Sequence, residues 1–158
     1  HRAGNRVVAV IGARSKDLLL FEKELSSFAD ELLVSTDDGS YGHKGLVTDL
    51  LRERLERDKQ VIEVVAVGPV PMMAAVAETT RPFGVKTTVS LNPIMVDGIG
   101  MCGACRVTVG GQTKFACVDG PEFDGHQVDF PELRRRLGAF REQEKTSFDK
   151  YRCSCHGK

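Results

Sequence analysis

Hydrophobic residues in the first ninety positions follow two alternating spacings. Continuous runs rich in valine and isoleucine predict buried strands at 7–12, 31–36, 62–68 and 85–91. Apolar residues three and four positions apart predict helices between them, at 16–28, 47–58 and 71–81. Strands separated by helices of this length favour a parallel sheet with right-handed crossovers. We therefore expect an α/β domain with a partial parallel sheet over residues 1–91.

This pattern changes at Asn92 and Pro93. Glycines become frequent, and two short strands, CRVTV and TKFACV, flank a Gly110-Gly111 hairpin turn. A unit of this size buries little apolar surface. We therefore expect an internal cross-link, such as a bound metal, to stabilise it. A charged helix (PELRRRLGAFREQEK) and a polar tail follow. The expected organisation is an α/β domain at 1–91, a loop-rich domain at 92–130, and a C-terminal helix and tail at 131–158.

Composition narrows the class of protein. The 158 residues carry 22 Lys and Arg against 22 Asp and Glu, so net charge does not point to nucleic acid or an acidic membrane surface. No apolar run approaches the roughly 18 residues of a membrane span. The five cysteines are bunched near 102–117 and 153–155, which favours metal or redox chemistry and a cytoplasmic location. The first residues, HRAGNRVVAV, are typical of the end of a helix followed directly by a strand. We therefore expect this chain to be the C-terminal part of a longer protein.

The stretch DGIGMCGACRVTV contains the strongest chemical signal. Cys102 and Cys105 are three positions apart, and Cys117 follows twelve positions later. The plant-type ferredoxin spacing C-x4-C-x2-C, with a later fourth cysteine, holds a 2Fe–2S cluster. Laid on this chain, its first position falls on Asp97, whose carboxylate is negative like a thiolate and can bind ferric iron through oxygen. The glycines allow several N–H groups to turn toward the cluster.

Other interpretations of these residues stay open. A C-x-x-C pair also serves zinc sites, here with Cys117 and His126, or dithiol redox chemistry. Asp97 could be an ordinary Asp-Gly turn residue. Arg106 could tune a cluster or be a surface charge. Cys153 and Cys155 near the end of the chain could be free thiols in a frayed tail. The alternative is that they contact a metal together with His156.

Candidate nucleotide-binding residues follow three of the predicted strands. Ligands bind at the carboxyl ends of strands in open α/β sheets, and helix N-termini there favour negative groups. The candidates are Arg14, Asp37, Asp38, Gly68, Pro69 and Met72. Each also has a plain interpretation: a solvated charge, a turn or the start of a helix.

The segments DGIGMCGACRVTVGG and FACVDGPEFDGHQVDF resemble the cluster domain of the NAD-binding small subunits of NADH-dependent ferredoxin:NADP oxidoreductases. These subunits, also labelled sulfide dehydrogenase subunits, group with dihydroorotate dehydrogenase electron-transfer subunits in the ferredoxin reductase-like superfamily. The latter carry Cys at the first ligand position. The Asp at position 97 therefore favours the former.

The resemblance implies a fold, cofactors and partners. A 2Fe–2S cluster would be held by Asp97, Cys102, Cys105 and Cys117. Gly68, Pro69 and Met72 would border the nicotinamide of NAD(H) or NADP(H), with Arg14, Asp37 and Asp38 near the rest of the dinucleotide. NADH would reduce FAD, and single electrons would pass through the cluster to a larger catalytic flavin and iron–sulfur subunit.

The same resemblance places the FAD site and the first strand of the nucleotide fold before this chain. We therefore expect a gap between the first and third predicted strands, filled by a partner molecule's strand, a rearranged sheet or solvent, with self-association or strand swapping favoured.

The alternative functions are a dihydroorotate dehydrogenase electron-transfer subunit, a catalytic subunit with its own substrate, and a zinc-stapled binding module. No nucleophile–base pair is evident for the second of these.

Overall fold

The computed structural model describes residues 3–155, and side chains through residue 152. It divides into two compact units. The first comprises the residues up to 62 together with 78–85, and the second comprises 63–77 and the residues from 86 onward. The border between the two units lies between residues 77 and 78, within a helix. The domain limits at 91 and 130 expected from the sequence remain predictions.

The first unit is built on a small parallel sheet. Its elements are β1 (Val8–Ala13), a 3-10 helix (Lys16–Leu18), α1 (Glu22–Phe28), β2 (Glu31–Thr36), β3 (His43–Lys44), α2 (Val47–Arg57) and a 3-10 helix (Arg81–Phe83). The strand order is β1-β2-β3, all parallel. Helix α2 begins where the Asp49 carboxylate accepts the Leu46 N–H at 2.9 Å, and it buries Leu50 and Leu55. The predicted strand at 31–36 and helix at 47–58 are thus confirmed, the helix to within one residue.

The helix predicted at 16–28 is wrong in its first half. Phe21 has a left-handed φ of 61°, which separates the short 3-10 helix from α1. Leu18, Leu20 and Phe21 are exposed. Since helical segments in proteins are stabilised mainly by burying an apolar face, nothing holds residues 19–21 helical.

The second unit combines a mixed sheet with a hairpin and helices. Its elements are β4 (Glu63–Val67), the start of α3 (Val70–Thr80), β5 (Lys86–Ser90), β6 (Arg106–Val109), β7 (Gln112–Phe115), α4 (Ala116–Asp119), β8 (Glu122–Asp124), α5 (Phe130–Leu137) and α6 (Arg141–Cys155). β4 and β5 are parallel, and β8, which the sequence pattern did not predict, adds antiparallel to β5. β6 and β7 form the predicted hairpin, with positive φ at Gly110 and Gly111.

The strands of the described chain lie in three separate sheets, and the gap expected between the first and third predicted strands stays a prediction. β4 pairs on one side only, and Val65 and Val67 on one of its faces are 62% and 70% exposed. The expected self-association or strand swapping at this gap stays a prediction.

The C-terminal segment differs from the expected helix and polar tail. Gly138 ends α5, and α6 then runs as a separate helix to Cys155, with residues 141–152 all exposed. Glycine is a poor helix former, which explains the break at this position. α5 itself is anchored by buried Phe130 and Leu133. In the part of the chain that the structure describes, no helix combines the length and apolar character needed to cross a membrane.

Candidate functional sites

The loop between β5 and β6 carries three of the four predicted cluster ligands. Its glycines adopt conformations that other residues rarely take: Gly100 has φ 82° and Gly103 has φ 65°. A Cβ at Gly100 would lie 3.2 Å from the Val118 side chain, and one at Gly103 would lie 2.9 Å from the Arg106 guanidinium. The loop therefore turns tightly where the sequence predicted that it must.

Asp97 is bonded to the backbone of this loop. Its carboxylate accepts the Ile99 N–H at 3.1 Å and the Cys102 N–H at 2.7 Å. These donors hold the pKa of the Asp97 carboxyl below its ordinary value, with Ile99 contributing most and the Cys102 N–H and thiol adding to it. The carboxylate is thus charged and adjacent to the Cys102 side chain, as either a loop-closing residue or a ligand would be.

Cys105 and Cys117 form a second pair. Their sulfur atoms are 3.2 Å apart, a distance at which one thiol donates to the other. The Cys117 N–H is the main group that lowers the pKa of Cys105, and the Cys105 sulfur is the main group that raises the pKa of Cys117. Cys105 therefore loses its proton first. Cys102, Cys105 and Cys117 are all free thiols.

Cys117 reaches Cys105 because the chain leaves the strand earlier than predicted. The expected strand TKFACV ends at Phe115, and one helical turn, α4, follows. The Asp119 carboxylate accepts the Phe115 N–H at 2.6 Å, and the Ala116 N–H donates to the Cys105 carbonyl at 3.1 Å. The prediction of a strand through Cys117 is wrong because Asp119 captures the N–H at the start of this turn.

These contacts arrange the four predicted ligands as two pairs, Asp97 with Cys102 and Cys105 with Cys117. Among the described residues, no three His, Cys, Asp or Glu side chains surround a single point suited to one metal ion. A two-iron cluster takes two protein ligands on each iron, so paired ligands fit its chemistry. A structural zinc ion needs four ligands around one centre, and the described residues offer no such group.

Two other predicted metal contacts have different outcomes. The backbone N–H of His126 donates to Asp124 at 2.9 Å, and His126 joins no metal-type cluster among the described residues. The side chains of Cys153 and Cys155, and the whole of His156, lie outside the described residues.

In the first unit, the predicted nucleotide-binding loops after β1 and β2 are hydrogen-bonded to each other. The N–H groups of Asp37 and Asp38 donate to the carbonyls of Ala13 and Arg14, at 3.1 and 3.2 Å. The side chains of Arg14, Asp37 and Asp38 are exposed at this end of the sheet. The hydroxyl of Ser40 is the main group that lowers the pKa of Asp38, which keeps the carboxylate charged.

Tyr41 and Lys16 make further contacts beside these two loops. Neither residue was predicted as a site residue from the sequence. The Tyr41 hydroxyl donates to Glu22 at 2.7 Å, and the Lys16 ammonium lies 5.0 Å from the centre of the Tyr41 ring. The Lys16 N–H also donates to the Ser40 hydroxyl at 2.9 Å. The only signal in the sequence was the aromatic residue inside the polar run DDGSYG.

In the second unit, the Gly68–Met72 segment forms the turn from β4 into α3. The N–H groups of Met72 and Met73 donate to the Pro69 carbonyl at 2.9 and 3.1 Å, which starts the helix. A Cβ at Gly68 would lie 2.5 Å from the Met72 Cε, so the Met72 methyl covers this glycine. The predicted residues Gly68, Pro69 and Met72 are therefore one compact turn, in a different unit from Arg14, Asp37 and Asp38.

Known proteins resemble this chain in its cluster segment and over most of its length. A family model described as the iron–sulfur cluster binding domain of dihydroorotate dehydrogenase B matches residues 92–129. The chain is 56% identical over 149 residues to a Thermotoga maritima protein named dihydroorotate dehydrogenase B (NAD(+)), electron transfer subunit homolog, covering 94% of this chain and 52% of that protein. It is 38% identical over 123 residues to a probable dihydroorotate dehydrogenase B (NAD(+)), electron transfer subunit, of Pyrococcus furiosus, covering 78% and 46%.

A solved structure is similar as well. It is that of an NADH-dependent reduced ferredoxin-NADP oxidoreductase, described for its insights into flavin-based electron bifurcation. The TM-score is 0.83 at 54% identity, covering 95% of this chain and 54% of that one. The chain spans about half the length of the curated relatives described above, 52% and 46%. Over 94% of its length, this α/β chain is thus similar to an electron-transfer subunit homolog, which confirms the resemblance to ferredoxin reductase-like electron-transfer subunits.

Proposed function

We propose that the chain is the electron-transfer part of an NAD(P)H-dependent flavin and iron–sulfur oxidoreductase. Its own residues would hold a 2Fe–2S cluster and part of the dinucleotide, and it would pass electrons to a larger partner subunit. The observation that carries this proposal is the pairing of Asp97 with Cys102 and of Cys105 with Cys117. Both pairs lie within the segment that matches an iron–sulfur cluster binding domain, residues 92–129.

The four residues supply suitable chemistry for such a cluster. Three free thiols and one charged carboxylate provide four negative donors once the thiols are deprotonated. Cys105 already has a lowered pKa, and the loop glycines let N–H groups point toward the donor atoms. A cluster bound there would accept and release one electron at a time.

Iron and sulfide analysis tests the cluster. The protein is reconstituted anaerobically with iron and sulfide, and its iron, its sulfide and its visible and electron paramagnetic resonance spectra are measured. We expect about two irons and two sulfides per chain. Bound zinc, or a colourless protein after reconstitution, would contradict the proposal.

Substitutions at the ligands identify the donors. Cys105→Ser and Cys117→Ser should lose most of the cluster, whereas Cys153→Ser and Cys155→Ser serve as matched controls that retain it. Asp97→Cys should retain a cluster with altered spectrum and potential, because a thiolate replaces a carboxylate. If Asp97→Ala keeps the iron content and spectrum of the parent protein, Asp97 is not a ligand.

For the dinucleotide, the proposal is supported by the positions of the two sets of loops. Arg14, Asp37 and Asp38 lie at the carboxyl ends of β1 and β2, and the Gly68 turn follows β4. Gly68→Ala should weaken NADH binding severalfold in the complete protein by displacing Met72. Ala75→Ser, at an exposed position of α3, is the control.

The candidate cluster loop and its neighbouring segments expose apolar surface. Several large apolar side chains on or beside this loop are exposed: Met95, Val96, Ile99, Met101 and Val118. Exposed apolar residues grouped in this way are typical of protein–protein contacts. We assign this surface to contact with the larger partner subunit. The cytoplasmic location expected from the cysteines remains a prediction. Ile99→Glu should weaken the complex in a pull-down without lowering the iron content.

A further inference from the structure

Arg136 connects helix α5 to the candidate cluster loop. Its guanidinium donates to the Ala104 carbonyl at 3.2 Å, and Ala104 lies between Cys102 and Cys105. Neither the sequence pattern nor the comparisons single out this residue. It is half-buried, whereas its neighbours Arg134 and Arg135 on the same helix are exposed.

The helix that carries Arg136 is held firmly against the strand that follows Cys105. The Asp129 carboxylate caps α5 by accepting the Glu132 N–H at 2.8 Å, and the Asp129 N–H donates to Thr108 of β6 at 2.9 Å. Leu133 is 2% exposed. Because α5 is fixed at this end and packed along its apolar face, the guanidinium is presented to the loop from a rigid element.

The contact acts on a particular peptide group. The Ala104 carbonyl and the Cys105 N–H belong to one planar peptide and point in opposite directions. The bond from Arg136 therefore orients the Cys105 N–H and polarises it as a donor.

The surroundings of Arg136 also strengthen the electrostatic effect of its charge on nearby groups. A cavity of about 310 Å³ beside it has mainly apolar walls that include Pro93, Ile94, Leu133, Leu137 and Phe140. Among the described side chains, no carboxylate forms an ion pair with Arg136. A charge that is neither neutralised nor fully solvated acts more strongly on nearby groups than an exposed one.

We propose that Arg136 is a positioning residue for the cluster: it orients the Ala104–Cys105 peptide and raises the reduction potential of the cluster bound by this loop. This inference rests on the proposed function. Adding an electron makes the cluster more negative, and a fixed positive charge together with a polarised N–H on a ligand residue stabilises that state. The residue acts through the peptide and needs no contact with the cluster itself.

The test compares Arg136→Gln, which removes the charge, with Arg136→Lys, which keeps it, and with Arg135→Gln as the matched control. Iron, sulfide and spectra are measured first, and then the potential is found by a spectroscopic redox titration. At the midpoint potential of the parent protein, we expect Arg136→Gln to lower the ratio of reduced to oxidised cluster roughly threefold to tenfold. Arg136→Lys and Arg135→Gln should each change this ratio less than about twofold.

The outcomes separate the two proposals. A parent protein without iron and sulfide refutes the proposed function. A parent protein with a cluster, together with equal shifts in Arg136→Gln and Arg135→Gln, overturns the role of Arg136. Should Arg136→Gln lose the cluster, its retention in Arg136→Lys and Arg135→Gln supports the positioning role, and loss in all three variants overturns it.

Discussion

The sulfur atoms of Cys105 and Cys117 lie 3.2 Å apart, although twelve residues separate them in the chain. Cys105 is 3% exposed and has a lowered pKa owing chiefly to the Cys117 N–H, whereas Cys102 is exposed on the loop. The three thiols are thus unequal: two are close together and one is accessible.

This inequality predicts the oxidation chemistry of the metal-free protein. Diamide should form a disulfide between Cys105 and Cys117, leaving Cys102 free for alkylation, because only a small movement brings the paired sulfurs to bonding distance. Peptide mapping by mass spectrometry identifies the bond. Cys102→Ser should give the same disulfide and Cys105→Ser should not. A predominant Cys102–Cys105 disulfide would contradict the arrangement.

Asp97 predicts a pH-dependent contribution to stability. Its pKa is lowered in the folded state, chiefly by the Ile99 N–H, so the stabilisation is present above the unfolded pKa of about 4 and is lost as the pH falls through the lower folded value. In the metal-free protein, Asp97→Asn should therefore unfold at lower urea than the parent at pH 7, and the two should converge in acid. Asp17→Asn, at an exposed carboxylate, is the control. A difference between parent and Asp97→Asn that does not depend on pH would refute this assignment.

Leu133 should be a main source of stability in the second unit. It is 2% exposed on α5, and Leu133→Ala should lower the free energy of unfolding by about 2–5 kcal/mol. Arg134→Ala, at an exposed position of the same helix, should change it by less than about 0.5 kcal/mol. Urea unfolding measures both. Equal effects would mean that α5 is not packed as described.

In the first unit, Arg54 joins two carboxylates. It bonds Glu31 at 2.7 Å and Asp58 at 2.9 Å, and its side chain is 17% exposed. Arg54→Gln should destabilise the protein by about 1–3 kcal/mol, because it removes two bonds between charged groups. Arg57, which is 77% exposed and pairs with Glu53, provides the control: Arg57→Gln should cost about 0–1 kcal/mol. If the two variants unfold at the same urea concentration, Arg54 has no special role.

The predictions from sequence succeeded where burial decides the structure. Strand 31–36 has the predicted limits and helix 47–58 is only one residue shorter, because regular apolar spacing matches a buried face. The helix predicted at 16–28 failed at Phe21, where apolar residues are exposed and a left-handed residue interrupts the helix. Spacing alone does not reveal whether an apolar residue will be covered.

The candidate site was predictable as far as it depends on local spacing. The glycines and the Asp97–Cys102 interval fall within one loop, so their proximity follows from the chain itself. Arg136 could not be found in this way, because its contact with Ala104 spans 32 residues and depends on how α5 packs. Likewise, the turn that places Cys117 depends on Asp119 accepting a backbone N–H, which a β-like sequence conceals.

The parallel pairing of β4 with β5 also constrains the two segments that follow these strands. Val67 lies opposite Ser90, so the Gly68 turn and the segment leading to the cysteine loop leave the same end of one sheet, within one unit. Neither segment can slide along its strand without breaking the backbone hydrogen bonds between β4 and β5. The spacing between the starts of these two segments is therefore set by backbone pairing rather than by side-chain packing.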